Sequence, residues 1–218
     1  MNLLHSVLFS TFALGAGGAE FHYDFRVGPL DTKIFQVQGA KDHLKAEAVG
    51  LKINPPASMR KSMRTGVSLG FRLHGDFEIT APFEILVGEK PRTSYGVAAA
   101  VQIETDRPSH SVSIERTLTK NEGAQYRAIH QDPRRQKSRQ KLITKTFPAT
   151  TNAGSLRIAR KGSKLHISVA DDDSQKFREL YQTEFTEADV TSLRLFSQHG
   201  RTRSAWNVAW KSLTARAD

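Results

Sequence analysis

Pairs of carboxylates two residues apart are the first positions at which this sequence offers catalytic chemistry. Asp76 and Glu78 form one pair, and Glu104 and Asp106 form another. Alternate residues of a β-strand share a face, so each pair would present two acids side by side. Two carboxylates about 5 Å apart cleave glycosidic bonds with retention of configuration. Solvent-facing acids are common on strands, so this spacing alone does not identify an enzyme.

The densest run of charge is basic and lies within residues 133–141. Its five cations are Arg134, Arg135, Lys137, Arg139 and Lys141. Arginine binds sulfate, carboxylate or phosphate through two parallel hydrogen bonds, and lysine acts as a point charge. Smaller basic clusters follow at Arg60, Lys61 and Arg64, and at Arg201 and Arg203. We predict that the 133–141 run binds an anionic ligand; a solvated loop is the alternative interpretation.

One acidic loop has the residue types of a cation site. Asp171, Asp172 and Asp173 are consecutive, and calcium prefers several oxygen ligands. The alternative is a solvated turn in which aspartate side chains accept nearby backbone N–H groups. The eight histidines show no ligand spacing, and His166 and His199 lie far apart in the chain. We therefore predict no zinc site and no cofactor, with calcium at the acidic loop as the weak candidate.

Two tryptophans offer a further binding feature. Trp206 and Trp210 are four residues apart and share a strand face with Val208 if no bulge intervenes. An exposed ring would form an apolar platform for a sugar, and Trp206 is our candidate for that role. Core packing is the alternative, and it favours Trp210 as the buried ring.

Composition predicts one exported globular domain. The chain has 218 residues, 38% hydrophobic and 25% charged, which is enough apolar material for a single core. Residues 1–19 contain no charged side chain, and an apolar run from Val7 to Leu14 precedes the small residues Gly15 to Ala19. That order predicts a signal peptide at 1–19 and a mature domain at 20–218, secreted, periplasmic or attached to the cell envelope. The alternative is an N-terminal apolar segment that stays in the mature fold. The apolar run is too short for a membrane span.

The net charge indicates the class of partner, and the cysteine content excludes some kinds of chemistry. The formal net charge is +10, which favours anionic ligands. For an exported protein these are polysaccharides or other acidic surface polymers, so we do not expect a nucleic-acid partner. The chain has no cysteine, which excludes disulfides and thiolate nucleophiles.

The dominant pattern after residue 20 has a period of two. It predicts thirteen strands, bounded by Gly, Pro, Asn or Asp, and hence an all-β, two-sheet antiparallel sandwich. Leu156–Arg160 and Leu165–Ala170 read as a hairpin with its apolar side inward. A single strand is predicted over His43–Ile53, and Thr186–Asp189 is the best candidate for a helical turn. Pro82 predicts a sheet edge or a bulge.

Five segments carry a family resemblance. They are GDFEITAPFEIL (75–86), YGVAAAVQIE (95–104), GSLRIARKGSKLHISVA (154–170), FRELYQTEF (177–185) and AWNVAWKSLTARA (205–217). In order, they resemble the concanavalin A-like lectin and glucanase superfamily, whose jelly-roll sandwiches include laminin-G-type modules. Within it, they look like exported bacterial domains of unknown function. The resemblance implies the fold; members of the superfamily include lectins, hydrolases and adhesion modules.

The catalytic pattern of the superfamily is incomplete. Its glucanases use Glu-x-Asp-x-x-Glu, and here Glu104 and Asp106 are followed by Ser109 at the third position, with Pro108 interrupting the strand. Asp76 and Glu78 are likewise followed by Thr80 and Pro82. We therefore expect a non-catalytic module that binds carbohydrate or another anionic surface polymer. A divergent glycoside hydrolase or lyase, and a structural or protein-interaction domain of the cell envelope, are the alternatives.

Overall fold

The chain folds into two antiparallel β-sheets. A computed structural model describes residues 13–14, 18–58, 61–93, 96–107, 110–132, 141–172 and 176–218. Seventeen strands account for most of them, and a 3-10 turn at Lys41–His43 is the only helical element of the described residues. Within these residues no helix is long and apolar enough to cross a membrane. The all-β sandwich predicted from the sequence is confirmed.

The strands vary from two to twelve residues in length. In chain order they are β1 (Ala13–Leu14), β2 (Ala19–Asp24), β3 (Gln36–Gln38), β4 (Leu44–Glu47), β5 (Gly50–Ile53), β6 (Ser62–Leu73), β7 (Phe77–Gly88), β8 (Val97–Thr105), β9 (Ser111–Thr119), β10 (Gly123–Asp132), β11 (Lys141–Pro148), β12 (Ala153–Lys161), β13 (Lys164–Asp171), β14 (Arg178–Glu184), β15 (Val190–Gly200), β16 (Trp206–Trp210) and β17 (Ser212–Ala217).

The two sheets differ in size. The seven-stranded sheet has the order β11-β10-β9-β8-β15-β6-β3. The ten-stranded sheet runs β1-β2-β17-β7-β12-β13-β14, and β16, β5 and β4 branch from β7. Inward side chains of both sheets form one core, which includes Val101, Ile114, Ile158 and Leu195. The central strands of both sheets each turn one face into this core, as the buried positions of β7, β8 and β13 show.

The β12–β13 hairpin forms as its alternation predicts. Leu156, Ile158, Leu165, Ile167 and Val169 are all fully buried, because they share the inward face. Lys161 pairs with Lys164 across a two-residue turn at Gly162 and Ser163. Gly162 has a φ of +57°, a conformation that glycine adopts without steric cost.

Pro82 lies inside the sheet, so the predicted edge or bulge at this residue is wrong. β7 pairs with β12 on one side and with β16 and β17 on the other. Pro82 faces the junction between β16 and β17, where its carbonyl accepts the Lys211 N–H at 2.9 Å. The missing proline N–H therefore falls where the neighbouring strand is interrupted and no ladder hydrogen bond is lost.

Two local predictions need correction. The segment 43–53 is a β4–β5 hairpin rather than one strand, because Glu47 pairs with Gly50 and the chain reverses there. Residues 186–189 form no helical turn; the Thr186 hydroxyl accepts the Ala188 N–H at 3.0 Å. The buried guanidinium of Arg160 also binds the carbonyls of Thr186 and Ala188 and holds this connection against β12.

The N-terminal leader remains a prediction. Residues 1–12 lie outside the described residues, and β1 pairs Ala13 with Glu20 and Leu14 with Ala19.

Ile158→Ala should lower the free energy of unfolding by about 2–5 kcal/mol, because it removes three buried carbons and leaves a cavity between the sheets. Ile158 is 0% exposed. Leu142→Ala is the matched control, since Leu142 is 57% exposed; the expected change is below about 0.5 kcal/mol. Urea denaturation of both variants measures the difference, and equal losses would contradict this placement of the core.

Candidate functional site

The outer face of the seven-stranded sheet carries a row of polar side chains, and three of them have a buried atom without a hydrogen-bond partner. We use "outer face" for the side of this sheet turned away from the core. Its central positions on β8, β9, β10, β15 and β6 alternate with core residues. They are Gln102 and Ala100, Glu115 and Ser113, Arg127, Arg194 with Phe196 and Gln198, and Arg64. Gln38 on β3 completes the row at the edge.

Glu115 is the buried acid of this face. It is 4% exposed and lies opposite Ala100 on β8 and Arg127 on β10. Nη2 of Arg127 is 3.3 Å from Oε2 of Glu115. Burial raises the pKa of the Glu115 carboxyl, and the nearby charges of Arg127 and Arg64 oppose that rise. The face therefore holds one carboxyl group in a poorly solvated place beside guanidinium groups.

Among the described residues, no carboxylate adjoins Glu115 on this face. Its cross-strand partners are Ala100 and Arg127, and Ser113 and Thr117 flank it on its own strand. The diagonal positions are Ala98, Gln102, Gln125 and Ile129. Glu104 lies further along β8 and is held by Arg194 through two contacts of 3.0 and 3.2 Å. No carboxylate pair of the kind used by retaining glycosidases surrounds Glu115.

Within the described part of the chain, three buried polar atoms of the outer face have no hydrogen-bond partner. They are Oε1 of Gln102, Nε of Arg127 and Nε of Arg194. Gln102 and Arg194 are directly opposed on neighbouring strands. Buried polar groups are almost always satisfied, so orphaned donors and an orphaned acceptor on one surface indicate a place for water or a polar ligand.

Arg64 and Phe196 form the wall beside these atoms. The Arg64 guanidinium carbon lies 5.1 Å from the centre of the Phe196 ring, and its Nε donates to Oε1 of Gln198 at 3.1 Å. A cavity of ≈ 170 Å³ opens here, and its lining includes Gln38, Gln102 and Arg194. The cavity is therefore lined by amides and guanidinium groups that bind hydroxyls or anions.

A second cavity continues the face toward one end of the sheet. We call this the Gly200 end, because β15 ends there at Gly200, opposite Ser62 of β6. The cavity measures ≈ 370 Å³, and its lining includes Arg127, Gln198 and Gly200. Since Arg127 also contacts Glu115, the cavity adjoins the buried acid.

A third cavity, of ≈ 470 Å³, lies at the edge between the sheets. Its lining includes Phe21, Ile34, Leu69 and Phe71. β3 pairs with only residues 66–68 of β6, so the rest of that edge is left open. We assign this cavity to the gap in the sandwich edge, because its apolar lining continues the core.

The carboxylate pairs named from the sequence serve structural contacts. Asp76 accepts the Gly162 N–H at 2.7 Å, and Glu78 pairs with Arg157 at 3.1 Å. Glu104 is bound by Arg194, and β8 ends at Thr105, so Asp106 does not extend the strand. Neither pair forms a dyad on one strand face.

Most of the basic run lies outside the described residues, which exclude 133–140. Arg134, Arg135, Lys137 and Arg139 therefore stay predictions. Lys141 begins β11 opposite Asp132, at the end of the sheet away from Gly200. Of the second cluster, Arg60 is also outside the described residues.

Asp171 is engaged by neighbours of the core. Its Oδ1 accepts the Tyr126 hydroxyl at 2.8 Å, and its Oδ2 lies 3.5 Å from Arg178. Burial, with this hydrogen bond, raises the pKa of Tyr126 to about 12, so the hydroxyl remains a donor. Asp172 has a φ of +56°, and Asp173 is outside the described residues. Among described side chains no group of three acids or histidines is arranged for a metal.

Trp206 packs in the core and offers no exposed ring. It is 1% exposed, and its indole N–H donates to Ser197 at 3.0 Å. The register shift opposite Asn207 and Val208 places its extra residue, Leu86, on β7. Trp206, Val208 and Trp210 therefore stay on one face of β16, and all three are buried. The core interpretation is confirmed, and the sugar platform that we placed at Trp206 loses its geometric basis.

A buried histidine pair was not anticipated. Nε2 of His110 and Nε2 of His130 are 3.2 Å apart, and the His110 ring stacks on Phe185. One ring must donate and the other accept, so the two cannot both be protonated in this geometry. The two residues are twenty apart in the chain and only the β9–β10 register aligns their strands. His166 and His199 lie apart, bound to Glu179 and to Ser204 respectively.

Glu115→Gln should alter the pH dependence of stability. The pKa of Glu115 is higher in the folded state than its ordinary value of 4.5. Between these two pKa values the folded state binds more protons than the unfolded state. The free energy of unfolding therefore falls as the pH rises from the ordinary pKa through the folded pKa. Glutamine does not titrate. Chemical denaturation from about pH 4 to about pH 8 should therefore show the variant gaining stability relative to the native chain.

Glu122→Gln, at an exposed carboxylate on the β9–β10 turn, is the matched control for loss of one negative charge. A stability difference between Glu115→Gln and the native chain that is flat with pH, or that reverses, would contradict the burial of this acid.

Solved structures share this fold at low sequence identity. One, from work on endo-acting O-glycanases of the human gut microbiota, aligns at a TM-score of 0.67 and 12% identity over 91% of this chain and 99% of that chain. A legume lectin-like domain from Entamoeba histolytica aligns at 0.58 and 13%, over 85% and 91%. A glycoside hydrolase family protein from Mycobacterium thermorestibile aligns at 0.58 and 10%, over 89% and 99%. These likenesses show the two-sheet jelly-roll β-sandwich fold.

Sequence comparison gives the family. A search of curated proteins finds no match. Residues 15–218 match the family described as "Protein of unknown function (DUF1583) C domain". Since the match spans nearly the whole chain, the protein belongs to the DUF1583 C-domain family.

Proposed function

We propose that this protein is a non-catalytic module that binds carbohydrate on the outer face of its seven-stranded sheet, with a preference for anionic polymers. The observation that carries the proposal is the set of orphaned polar atoms on that face, at Gln102, Arg127 and Arg194. Hydroxyl and carboxylate groups of a saccharide supply the acceptors and donors that these atoms lack.

The chemistry of the face suits a polar chain. Arg64 and Arg194 line the smaller cavity together with the amides of Gln38 and Gln102. Guanidinium groups bind carboxylates and sulfates through two hydrogen bonds, and amides both donate and accept. The fold relatives also support a saccharide ligand, since their names include a legume lectin-like domain and a glycoside hydrolase.

The arrangement around Glu115 favours binding over hydrolysis. A buried carboxyl with a raised pKa suits a general acid, which is the specific observation in favour of a divergent glycoside hydrolase. Cleavage also requires a second carboxylate, either as nucleophile or as general base. The positions that adjoin Glu115 carry alanine, arginine, serine, threonine, glutamine and isoleucine, so that partner is missing there.

Several parts of the proposal rest on sequence alone. They are export through the leader at 1–19, a location in the secreted fraction or the cell envelope, and anion binding by the 133–141 run. The net charge of +10 supports an acidic surface polymer as the partner.

Arg64→Gln should weaken glycan binding by about tenfold, because it removes a guanidinium from the cavity wall, an effect of about 1.4 kcal/mol. The measurement is binding of the purified chain to an array of neutral, carboxylated and sulfated glycans at low and physiological salt. Arg72→Gln is the matched control: Arg72 lies on the same strand about 26 Å away, beyond the register irregularity that follows Gly70, and pairs with Asp189.

The two variants should have similar melting temperatures, because both side chains are exposed. Equal binding by Arg64→Gln and the native chain would rule out the outer face as the binding surface. Release of reducing ends from any glycan bound by the array would overturn the non-catalytic assignment.

A further inference from the structure

A turn with two unusual backbone conformations stands at the Gly200 end. Arg201 has a φ of +58° and Arg203 a φ of +50°. Residues other than glycine adopt this left-handed region at an energetic cost, and arginine is not among the residues that favour it. Such conformations persist only where surrounding contacts fix them, and they concentrate at binding sites.

Buried hydroxyl groups fix this turn. The side chains of Thr202 and Ser204 are buried, and the Ser204 hydroxyl donates to Thr202 Oγ1 at 2.8 Å. His199 Nε2 lies 3.1 Å from Thr202 Oγ1 and 3.2 Å from the Ser204 carbonyl. The inward residues alternate with Arg201 and Arg203, whose side chains are exposed as a result. The costly backbone conformation of Arg201 and Arg203 therefore leaves both guanidinium groups in solvent.

The neighbouring loop is tied to the same turn. The Arg92 N–H donates to the Thr202 carbonyl at 3.2 Å, and the Glu89 N–H donates to the Ala205 carbonyl at 3.0 Å. In return, the Ala205 N–H donates to the Glu89 carboxylate at 2.9 Å. These contacts hold Lys90 and Arg92 beside the turn. They also give the carboxylate of Glu89, the one acid of residues 89–93, a backbone hydrogen bond.

A fifth cation comes from the start of β6. Ser62 pairs with Gly200, so Lys61 lies next to the turn that follows β15. The basic end is then defined by five exposed side chains on three chain segments, Lys61, Lys90, Arg92, Arg201 and Arg203. Hydrogen bonds fix the backbone of the turn and of the 89–92 loop before any ligand arrives, which lowers the entropic cost of binding.

The basic end adjoins the proposed binding face. The ≈ 370 Å³ cavity is lined by Arg127 and Gln198 of the outer face and by Ser62 and Gly200 of the end itself. Glu122 also lines it, and is its one acidic residue. A polymer on the outer face can therefore continue through this cavity onto the basic end.

We infer that the basic end is a second binding region for a sulfated or carboxylated polysaccharide, whose chain runs from the outer face across the ≈ 370 Å³ cavity to Arg201 and Arg203. This inference rests on the proposed function of the outer face. Single-stranded nucleic acid is the less suitable polyanion, because its sites stack bases on aromatic rings and neither 89–93 nor 201–205 contains an aromatic residue.

The test is Arg201→Asn together with Arg203→Asn, since asparagine tolerates positive φ and leaves the turn intact. The matched control, Lys161→Asn with Lys164→Asn, removes two exposed charges from the β12–β13 turn at the opposite end of the ten-stranded sheet. Affinities for dextran sulfate, uncharged dextran and single-stranded DNA are measured at low and at physiological salt.

We expect the Arg201/Arg203 variant to lose about tenfold in affinity for dextran sulfate, equivalent to about 1.4 kcal/mol, and to keep its affinity for dextran. The lysine control should retain binding to both. An equal loss of dextran sulfate affinity in the two double variants would mean that only net charge matters, and it would overturn the inference. Tighter binding of DNA than of dextran sulfate would overturn the choice of ligand.

Arg64→Gln separates this inference from the proposed function. If Arg64→Gln weakens binding while the Arg201/Arg203 variant binds as the native chain does, the basic end is excluded and the outer face stands. If only the Arg201/Arg203 variant weakens binding, the outer face is excluded and so is the continuous path. Unchanged binding by both variants overturns both.

Discussion

The register of β15 is the constraint on which both the core and the candidate site depend. β15 pairs with β8 on one side and β6 on the other, and it sends Leu193 and Leu195 into the core. The same alternation places Arg194, Phe196 and Gln198 on the outer face. A slip of one residue would exchange the two sets and expose the leucines, so burial of apolar area fixes the positions of the polar groups. Gly200 then ends the strand, and the Arg201–Arg203 turn follows.

The outer face shows how a sandwich can build a polar surface on apolar strands. Ala98 and Ala100 are small and buried there, so longer side chains from adjacent strands, such as Phe196 and Glu115, cover them. A carboxyl group in this place loses hydration, which raises the pKa of Glu115 despite the guanidinium groups nearby. The result is a rigid surface with hydrogen-bonding capacity left over. Under the proposed function, a polar ligand would use this remaining hydrogen-bonding capacity.

Local pattern predicted the fold better than it predicted the site. Alternation identified the β12–β13 hairpin and its inward face, because burial of Leu156, Ile158, Leu165 and Ile167 requires a period of two. Pro82 misled the prediction, since its missing N–H was assumed to need an edge. The structure instead places it where β16 gives way to β17, a feature that depends on strands more than a hundred residues away.

The sequence by itself determined the all-β sandwich, the absence of disulfides, the positive charge and the basic clusters, because these follow from residue types and from short-range periodicity. Tertiary structure alone decided which side chains meet. The sequence does not single out Glu115, and only its β8 and β10 neighbours bury it beside Arg127. Lys61 and Arg201 belonged to separate clusters until the Ser62–Gly200 pairing joined them. Strand order and register are set by burial summed over both sheets, and no single segment contains that information.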